Sequence, residues 1–339
     1  MHPNPSLEGL AGWLPAVVAL AVSVVGTRAV QGWLERRCIL DHPNERSSHV
    51  LPTPRGGGLA VTSAVLVAWA LVAVQGVALA GWVWLAMAAA AALMAASWLD
   101  DRIDLPAAPR FAAHVLAVLL LLLPGDALVF QGWLPLWADR LLAALGWLWF
   151  VNLYNFMDGI DGITGVETVC IGAGIVIVTG LTAAPADLAP LALACAAAGL
   201  GFLVWNWHPA RIFLGDVGSI PLGLLLGGLL VQLALAGQLA PAVILPLYYL
   251  GDATITLGRR AFRGEKVWQA HRQHFYQRAV RGGKTHAQVS GLVLAGNLAL
   301  IGCAALAATG AVWLGLAVAV AVVASMLGVL QWWSKGAAP

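Results

Sequence analysis

Charge is what this sequence has least of. Only 10% of its 339 residues are Asp, Glu, Lys or Arg, where a soluble domain carries about 25%. That excludes a surface facing water on all sides. Cysteine is nearly as scarce: Cys38, Cys170, Cys195 and Cys303 are scattered and none falls in CxxC spacing. Neither a disulfide framework nor a zinc ribbon is expected, and the four read as small apolar residues. The formal net charge of +2 by itself says nothing about nucleic acid, and no such partner is expected. No basic stretch precedes the first apolar run, Leu10 to Val30; Arg28, Arg36 and Arg37 fall late in it or after it instead. A retained first span with its N-terminus outside is expected, not a cleaved signal. There is also no repeat of fixed period and no matched pair of interrupted helices, which weighs against a transporter.

What is present is hydrocarbon. The chain is 60% hydrophobic with a mean hydropathy of +0.84. Apolar runs of about 20 residues, the length a helix needs to cross a bilayer, recur from end to end. Their apolarity is continuous, so they read as spans and not as amphipathic surface helices. The expected fold is an all-α polytopic membrane protein, one integral-membrane domain over 1–339. About eleven spans are expected, at 10–31, 59–77, 79–99, 111–123, 141–153, 165–181, 188–205, 220–236, 240–257, 289–308 and 312–330. Arginine and lysine gather in 35–58, 100–110, 206–219 and 259–286 or beside them, with Arg140 the main exception, and the loop 152–164 lies on the same side as these. The opposite loops hold Glu8, Asp126, Asp139 and Asp187. The positive-inside rule therefore puts every motif-like stretch on the cytoplasmic face and the N-terminus on the periplasmic one.

The loop NLYNFMDGIDGITG, Asn152 to Gly165, packs two carboxylates, two asparagines and three glycines between apolar runs. Ionisable groups at such places pair, line a wet cavity or bind something. Asp158 and Asp161 are three apart, so one helical turn would bring them together, and the glycines allow close backbone approach to a ligand. The bland alternative is a flexible inter-helix turn. Asp100, Asp101 and Asp104 crowd three acids into five residues. They repel unless a cation is near, and magnesium is held by one or two carboxylates plus substrate phosphates. A solvated helix end would look the same. In FLGDVGS, Phe213 to Ser219, Gly–Asp–x–Gly–Ser before an apolar run suggests a helix N-terminus capped near Asp216 or Ser219, a place suited to phosphate. Phe213 offers a flat face for a base. A simple cap would use the same residues.

The longest basic segment holds His271, Arg272, His274, Arg278 and Arg281. Two histidines three apart could ligate zinc, but no third ligand is spaced for it. Phosphate binding is the better functional reading, against a charge run on anionic lipid. Arg46, His49 and Arg55 precede Gly56–Gly58 in a proline-stiffened loop that could cover a nucleotide or be purely structural. Asp252 reads as a helix–helix partner, with a site role as the alternative, and His114 as a buried polar partner. Together the residues call for a polyanionic, metal-bound substrate at the inner membrane face.

DDRID at Asp100–Asp104, NLYNFMDGIDG at Asn152–Gly162, FLGDVGS at Phe213–Ser219, HRQHFYQR at His271–Arg278 and DHPNERSSHVLPTPRGGG at Asp41–Gly58 resemble the polyprenyl-phosphate N-acetylhexosamine-1-phosphate transferase family. The resemblance covers nearly the whole chain. It implies transfer of a sugar-1-phosphate from a UDP-N-acetylhexosamine to undecaprenyl phosphate with release of UMP, dependent on Mg2+ (magnesium). Asp216 matches the family's magnesium-binding aspartate and Asn155 is similar to a proposed second ligand. Asp100 and Asp101 match the acidic pair held essential for phosphoryl transfer. Asp158, Asp161 and Phe213 correspond to positions near the uridine. His271 and His274, with Arg272 between them, look like the basic-loop residues near the diphosphate. HRQHFYQR departs from the consecutive histidines of phospho-MurNAc-pentapeptide translocase and looks like the branch that initiates O-antigen or related glycans, with GlcNAc, FucNAc or QuiNAc as candidate sugars. The implied setting is the bacterial inner (plasma) membrane, with the lipid bilayer as partner and a homodimer among the expected assemblies.

A phosphate monoester has a second pKa of about 6, so the lipid acceptor is already mostly dianionic and needs little from a base. Bringing it to an anionic diphosphate is the larger barrier, which charge and positioning can lower. Direct in-line attack is preferred, with Asp100 or Asp101 as a covalent nucleophile the second route. Two other classes remain. An ion-coupled transporter relaying through Asp252 and His114 would put its acids at mid-span. A non-catalytic lipid-binding scaffold would tolerate loss of Asp100 and Asp158.

Overall fold

A computed structural model of the chain describes residues 5–43, 51–103, 105–124, 128–267, 269 and 271–336. Arg46, His49, Asp104 and Asp126 lie outside the described residues. Continuous apolar runs leave the backbone only its own carbonyls as partners, so they close into helices. These are α1 Pro5–Arg36, α2 Gly58–Val74, α3 Gly81–Ile103, α4 Ala107–Leu122, α5 Leu136–Phe156, α6 Ile163–Leu181, α7 Leu188–Asn206, α8 Asp216–Leu235, α9 Leu239–Ile244, α10 Leu247–Phe262, α11 Phe275–Arg281, α12 His286–Ala308 and α13 Val312–Trp333. Seven helices among the described residues, α1, α3, α6, α7, α8, α12 and α13, are long and apolar enough to cross a membrane, and α2 and α4 are shorter apolar helices.

The expected single span 240–257 is instead two helices. Pro246 is the N-cap of α10, two residues after α9 ends. Its ring cannot donate to the preceding turn, which breaks the run there. The short helix α11 lies inside the basic loop, where the sequence pattern gives no sign of it. Asp252 makes it: its carboxylate accepts the N–H groups of Phe275 (3.0 Å) and Tyr276 (3.2 Å), the orphan donors of that helix start. Asp252 is thus the inter-helix partner expected of it.

Helix α8 is the hub. It packs against α2, α3, α4, α5, α6, α7 and α9. Its glycines make room for this. A Cβ at Gly223 would press on Val151 and Tyr154 of α5, and one at Gly227 on Trp147. Small residues at crossings let helix backbones approach, the usual basis of packing in lipid. At its N-terminal end Gly218 meets Gly58 of α2 so closely that a Cβ on either would collide with the other's backbone. Outward on the peripheral helices, Val25, Leu116 and Val320 are 68%, 59% and 59% exposed, which suits contact with lipid chains.

Candidate active site

The site is assembled by a strand-like splice. β1, Leu40–Asp41, pairs antiparallel with β2, Thr53–Pro54, and the chain then runs alongside the loop that enters α8. Arg55 bridges Phe213 in parallel. Phe213 N–H donates to Pro54 O (2.8 Å), Gly56 and Gly57 N–H donate to Phe213 O (3.1 and 2.9 Å), and Gly58 N–H donates to Leu214 O (2.9 Å). These bonds lay the first loop on the FLGDVGS loop. The Arg55 guanidinium is thereby carried onto the Asp216 carboxylate, with which it forms an ion pair. Gly215 turns the chain between them at φ +75°, a conformation glycine adopts without penalty. Gly215 is itself the N-cap of α8, and Asp216 is the first helical residue. The helix N-terminus expected near Asp216 is therefore present: the glycine turn takes the cap position itself, Asp216 follows it, and Ser219 Oγ turns back to Gly215 O at 3.2 Å.

Arg55 lies in the field of several acids. Asp216 acts most strongly to hold its guanidinium above the ordinary range; burial opposes this, and Asp101, Asp41 and Asp158 add to it. Carboxylates from four separate segments therefore act on one cation, with Asp216 in contact with it. Asp158 accepts a hydrogen bond from Thr164 Oγ1 at 2.7 Å. Burial pushes its carboxyl up to about 6, with Asp216 adding to the push, while the Thr164 hydroxyl, Arg55 and the Gly215 N–H pull the other way. Asn155 lies half-buried in the last turn of α5, and its carbonyl accepts the Asp158 N–H at 3.1 Å. The acids that surround Arg55 offer only oxygen, the donor that a hard ion such as magnesium takes. Arg55 supplies positive charge to that same group of acids.

Other expected site residues are placed elsewhere. Asp100 is buried and engaged: it accepts the Leu105 N–H (2.8 Å) and Arg110 Nη1 (2.7 Å), tying the α3–α4 corner. Its neighbour Asp101 is exposed. The pair is therefore split: Asp100 is tied to Arg110, while Asp101 is among the acids that act most strongly on Arg55. Asp158 and Asp161 are not stacked by a helical turn, because residues 157–162 form a loop. Asp161 accepts from His208 Nδ1 at 2.7 Å and from the Ala210 N–H at 3.1 Å, and lies 3.1 Å from His286 Nδ1. Burial works to raise this carboxyl, but the bonds and charge from His286, then His208 and Ala210, outweigh it and hold it below the usual carboxylate range.

The basic loop is reached through Tyr276, whose hydroxyl donates to Phe156 O at 3.1 Å. A Cβ on Gly159 would collide with that hydroxyl, so glycine is required where α11 meets the central loop. His274 is buried, with Nδ1 3.2 Å from Asp252 Oδ1, and stacks between His271 and Tyr276. Burial, then His274 and Arg260, pushes His271 down to about 4. A histidine that is neutral at pH 7 does not bring the positive charge expected of it. Arg272 is half-buried on the same loop, and Phe213 is half-buried beside Arg55. His114 is buried in α4 and bonds to Asn152 of α5, the structural role expected.

Three residues escape sequence reasoning. Arg55 reads there only as part of a covering loop, because nothing local marks which arginine meets an acid. Asp41 stands in a motif without a role. Glu167 of α6 is fully buried and accepts Asn297 Nδ2 of α12 at 2.6 Å; a lone carboxyl in the middle of an apolar run is a signal that could have found it.

Comparison with known proteins gives a consistent picture. A family model described as Glycosyl transferase family 4 matches residues 82–234. The chain is 29% identical to a probable undecaprenyl-phosphate N-acetylglucosaminyl 1-phosphate transferase of Bacillus subtilis, over 80% of this chain and 78% of that one. It is 28% identical to decaprenyl-phosphate N-acetylglucosaminephosphotransferase of Mycolicibacterium smegmatis, over 95% and 90%. Over a shorter stretch, 38% of this chain and 42% of the relative, it is 36% identical to phospho-N-acetylmuramoyl-pentapeptide-transferase of Moorella thermoacetica.

Proposed function

We propose, since this chain belongs to glycosyl transferase family 4, that it transfers N-acetylhexosamine-1-phosphate from a UDP-sugar to undecaprenyl phosphate and releases UMP. The relatives' acceptors are polyprenyl phosphates by name. The chain would lie in the bacterial inner membrane with about eleven spans, its N-terminus periplasmic and the Arg55 group at the cytoplasmic face. The distribution of arginine and lysine supports that orientation. The single observation that carries the reading is the convergence of Asp41, Asp101, Asp158 and Asp216 on Arg55.

Asp216 and Asn155 would hold magnesium, which when bound screens the charge of the diphosphate. Arg55 then has its guanidinium available for a phosphate, bidentate recognition being what that group does best. Phe213 would stack on the uracil, and Arg272 lies on the loop expected near the diphosphate. A phosphate oxygen of the lipid attacks the sugar-linked phosphorus, the bond to the bridging oxygen breaks, and UMP leaves with the electron pair. No proton need move, because the acceptor enters as a dianion. In the covalent alternative the nucleophile is Asp101, since Asp100 is held by Arg110. The chemistry suits initiation of O-antigen or a related envelope glycan. Incubating the purified protein with a panel of UDP-N-acetylhexosamines and undecaprenyl phosphate, then weighing the lipid product, tests this. A lipid diphosphate-sugar and stoichiometric UMP are expected. Ion flux in proteoliposomes without UMP release would point to a transporter instead.

Asp158 gives the pH dependence. With its carboxyl pushed up to about 6, it is ionised at neutral pH and gains a proton as pH falls through that value. A protonated carboxyl no longer attracts a cation, so cation binding to such a pocket competes with protons. The magnesium needed for half-maximal UMP release is expected to stay flat above pH 7. Below about pH 6 it should climb, approaching tenfold per pH unit. A requirement that does not change between about pH 5 and pH 7 would mean that the charge on Asp158 does not act on the metal held by Asp216 and Asn155.

A further inference from the structure

Asp161, the second acid of the central loop, takes its partners not from the Arg55 group but from two histidines of distant segments. His208 follows α7 and His286 is the first residue of α12. Ligand atoms of Asp161, His208 and His286 all lie within 4.8 Å of one another. Asp161 and His286 are buried, while His208 is 35% exposed, so the cluster opens to solvent on one side. We propose that Asp161, His208 and His286 form a binding site for a divalent transition-metal ion of the zinc class, distinct from the all-oxygen magnesium site.

The donor set favours this assignment. Two imidazole nitrogens and one carboxylate suit borderline ions such as zinc far better than magnesium, and three protein ligands with one open position are a common zinc arrangement. Tetrahedral ligands about 2.1 Å from zinc stand roughly 3.4 Å apart. His208 Nδ1 lies 2.7 Å from Asp161 Oδ2 and His286 Nδ1 lies 3.1 Å from Oδ1, so each imidazole is within about 1 Å of that spacing from the carboxylate oxygen it faces. The hydrogen bonding also carries a conflict that a cation removes. His286 Nδ1 lies 3.3 Å from the Asp161 backbone nitrogen and 3.1 Å from the Asp161 carboxylate. If Nδ1 bears a hydrogen, it meets another donor; if it bears a lone pair, it faces a carboxylate. A metal ion between nitrogen and carboxylate satisfies both of these groups, at the cost of the long 3.3 Å contact to the Asp161 N–H. The surroundings orient the ligands as supporting shells do: Ala210 N–H donates to Oδ2 at 3.1 Å and Ser290 Oγ to the Asp161 carbonyl at 2.7 Å. Such an ion would staple the central loop, the segment that follows α7 and the start of α12 to one another.

The test uses the full chain in detergent, without a polyhistidine tag, stripped with chelator and re-loaded with zinc in excess magnesium. About one zinc per chain is expected by mass spectrometry, with cobalt in its place giving the visible absorption of a tetrahedral ion. His208→Ala should weaken zinc at least about 100-fold, a loss no smaller than that from removing a mere supporting group. His208 is partly exposed, and His208→Asn is the second variant should Ala unsettle the loop. Asp216→Asn should keep its zinc, which separates this site from the magnesium reading. No zinc or cobalt held by the wild-type chain, or equal zinc in wild type and both His208 variants, overturns the proposal and leaves a hydrogen-bonded carboxylate–imidazole network.

Discussion

Asp216→Asn is expected to lower the rate of UMP release on the order of 10³-fold or more, the scale of losing one preorganised electrostatic group at a reacting centre, while the protein still inserts and folds. The substitution keeps the size of the side chain and removes its charge. Asp216 is the acid that acts most strongly on Arg55, and it begins the helix around which the others pack. Without it, Asn155 and the remaining acids offer the cation a weaker and less well-placed set. The thermal midpoint should change little, because Asp101, Asp41 and Asp158 still compensate Arg55. The measurement is magnesium-dependent UMP release alongside the melting curve of the same preparation. Wild-type turnover of a well-folded Asp216→Asn protein would end the metal assignment.

Gly58→Ala should be nearly as damaging, by a different route. Its new Cβ would collide with the Gly218 backbone where α2 crosses α8. Overpacking of this kind costs about 1–3 kcal/mol, and backbone atoms have no rotamer by which to yield. The same crossing sets the distance between Arg55 and Asp216, three residues back from Gly58 and two from Gly218. A shift of about 1 Å there can cost up to 10²-fold in rate. The expected result is a lowered melting temperature together with loss of UMP release. Gly218→Ala should reproduce both, since it fills the same gap from the other side. A Gly58→Ala protein with unchanged stability and turnover would mean that the crossing is looser than this.

Much of the protein is legible from its residue order, because hydrocarbon solves only a few problems. A run such as 165–181 or 188–205 cannot leave its backbone groups unpaired in lipid, so length and apolarity alone make it a helix. The acids and glycines of 152–165 and 213–219 stand out for the same reason: nothing apolar has a use for them. Which of them meet is not legible. Asp100 and Asp101 are neighbours of equal chemistry, and only the α3–α4 corner, with Arg110 in it, gives one to structure and the other to the Arg55 group. Asp158 and Asp161 fit a helical turn on paper, but the loop sends them to different partners. Arg55 reaches Asp216 across 161 residues of sequence, through backbone hydrogen bonds between two loops. His208 and His286 come to Asp161 across 47 and 125 residues of sequence. Membrane class, helical runs and the stretches able to carry chemistry are written in the sequence, since those follow from solvent and local backbone needs. Which charges share a pocket is left to the packing of the helices, because electrostatic interactions depend on distances that packing, and not chain order, controls.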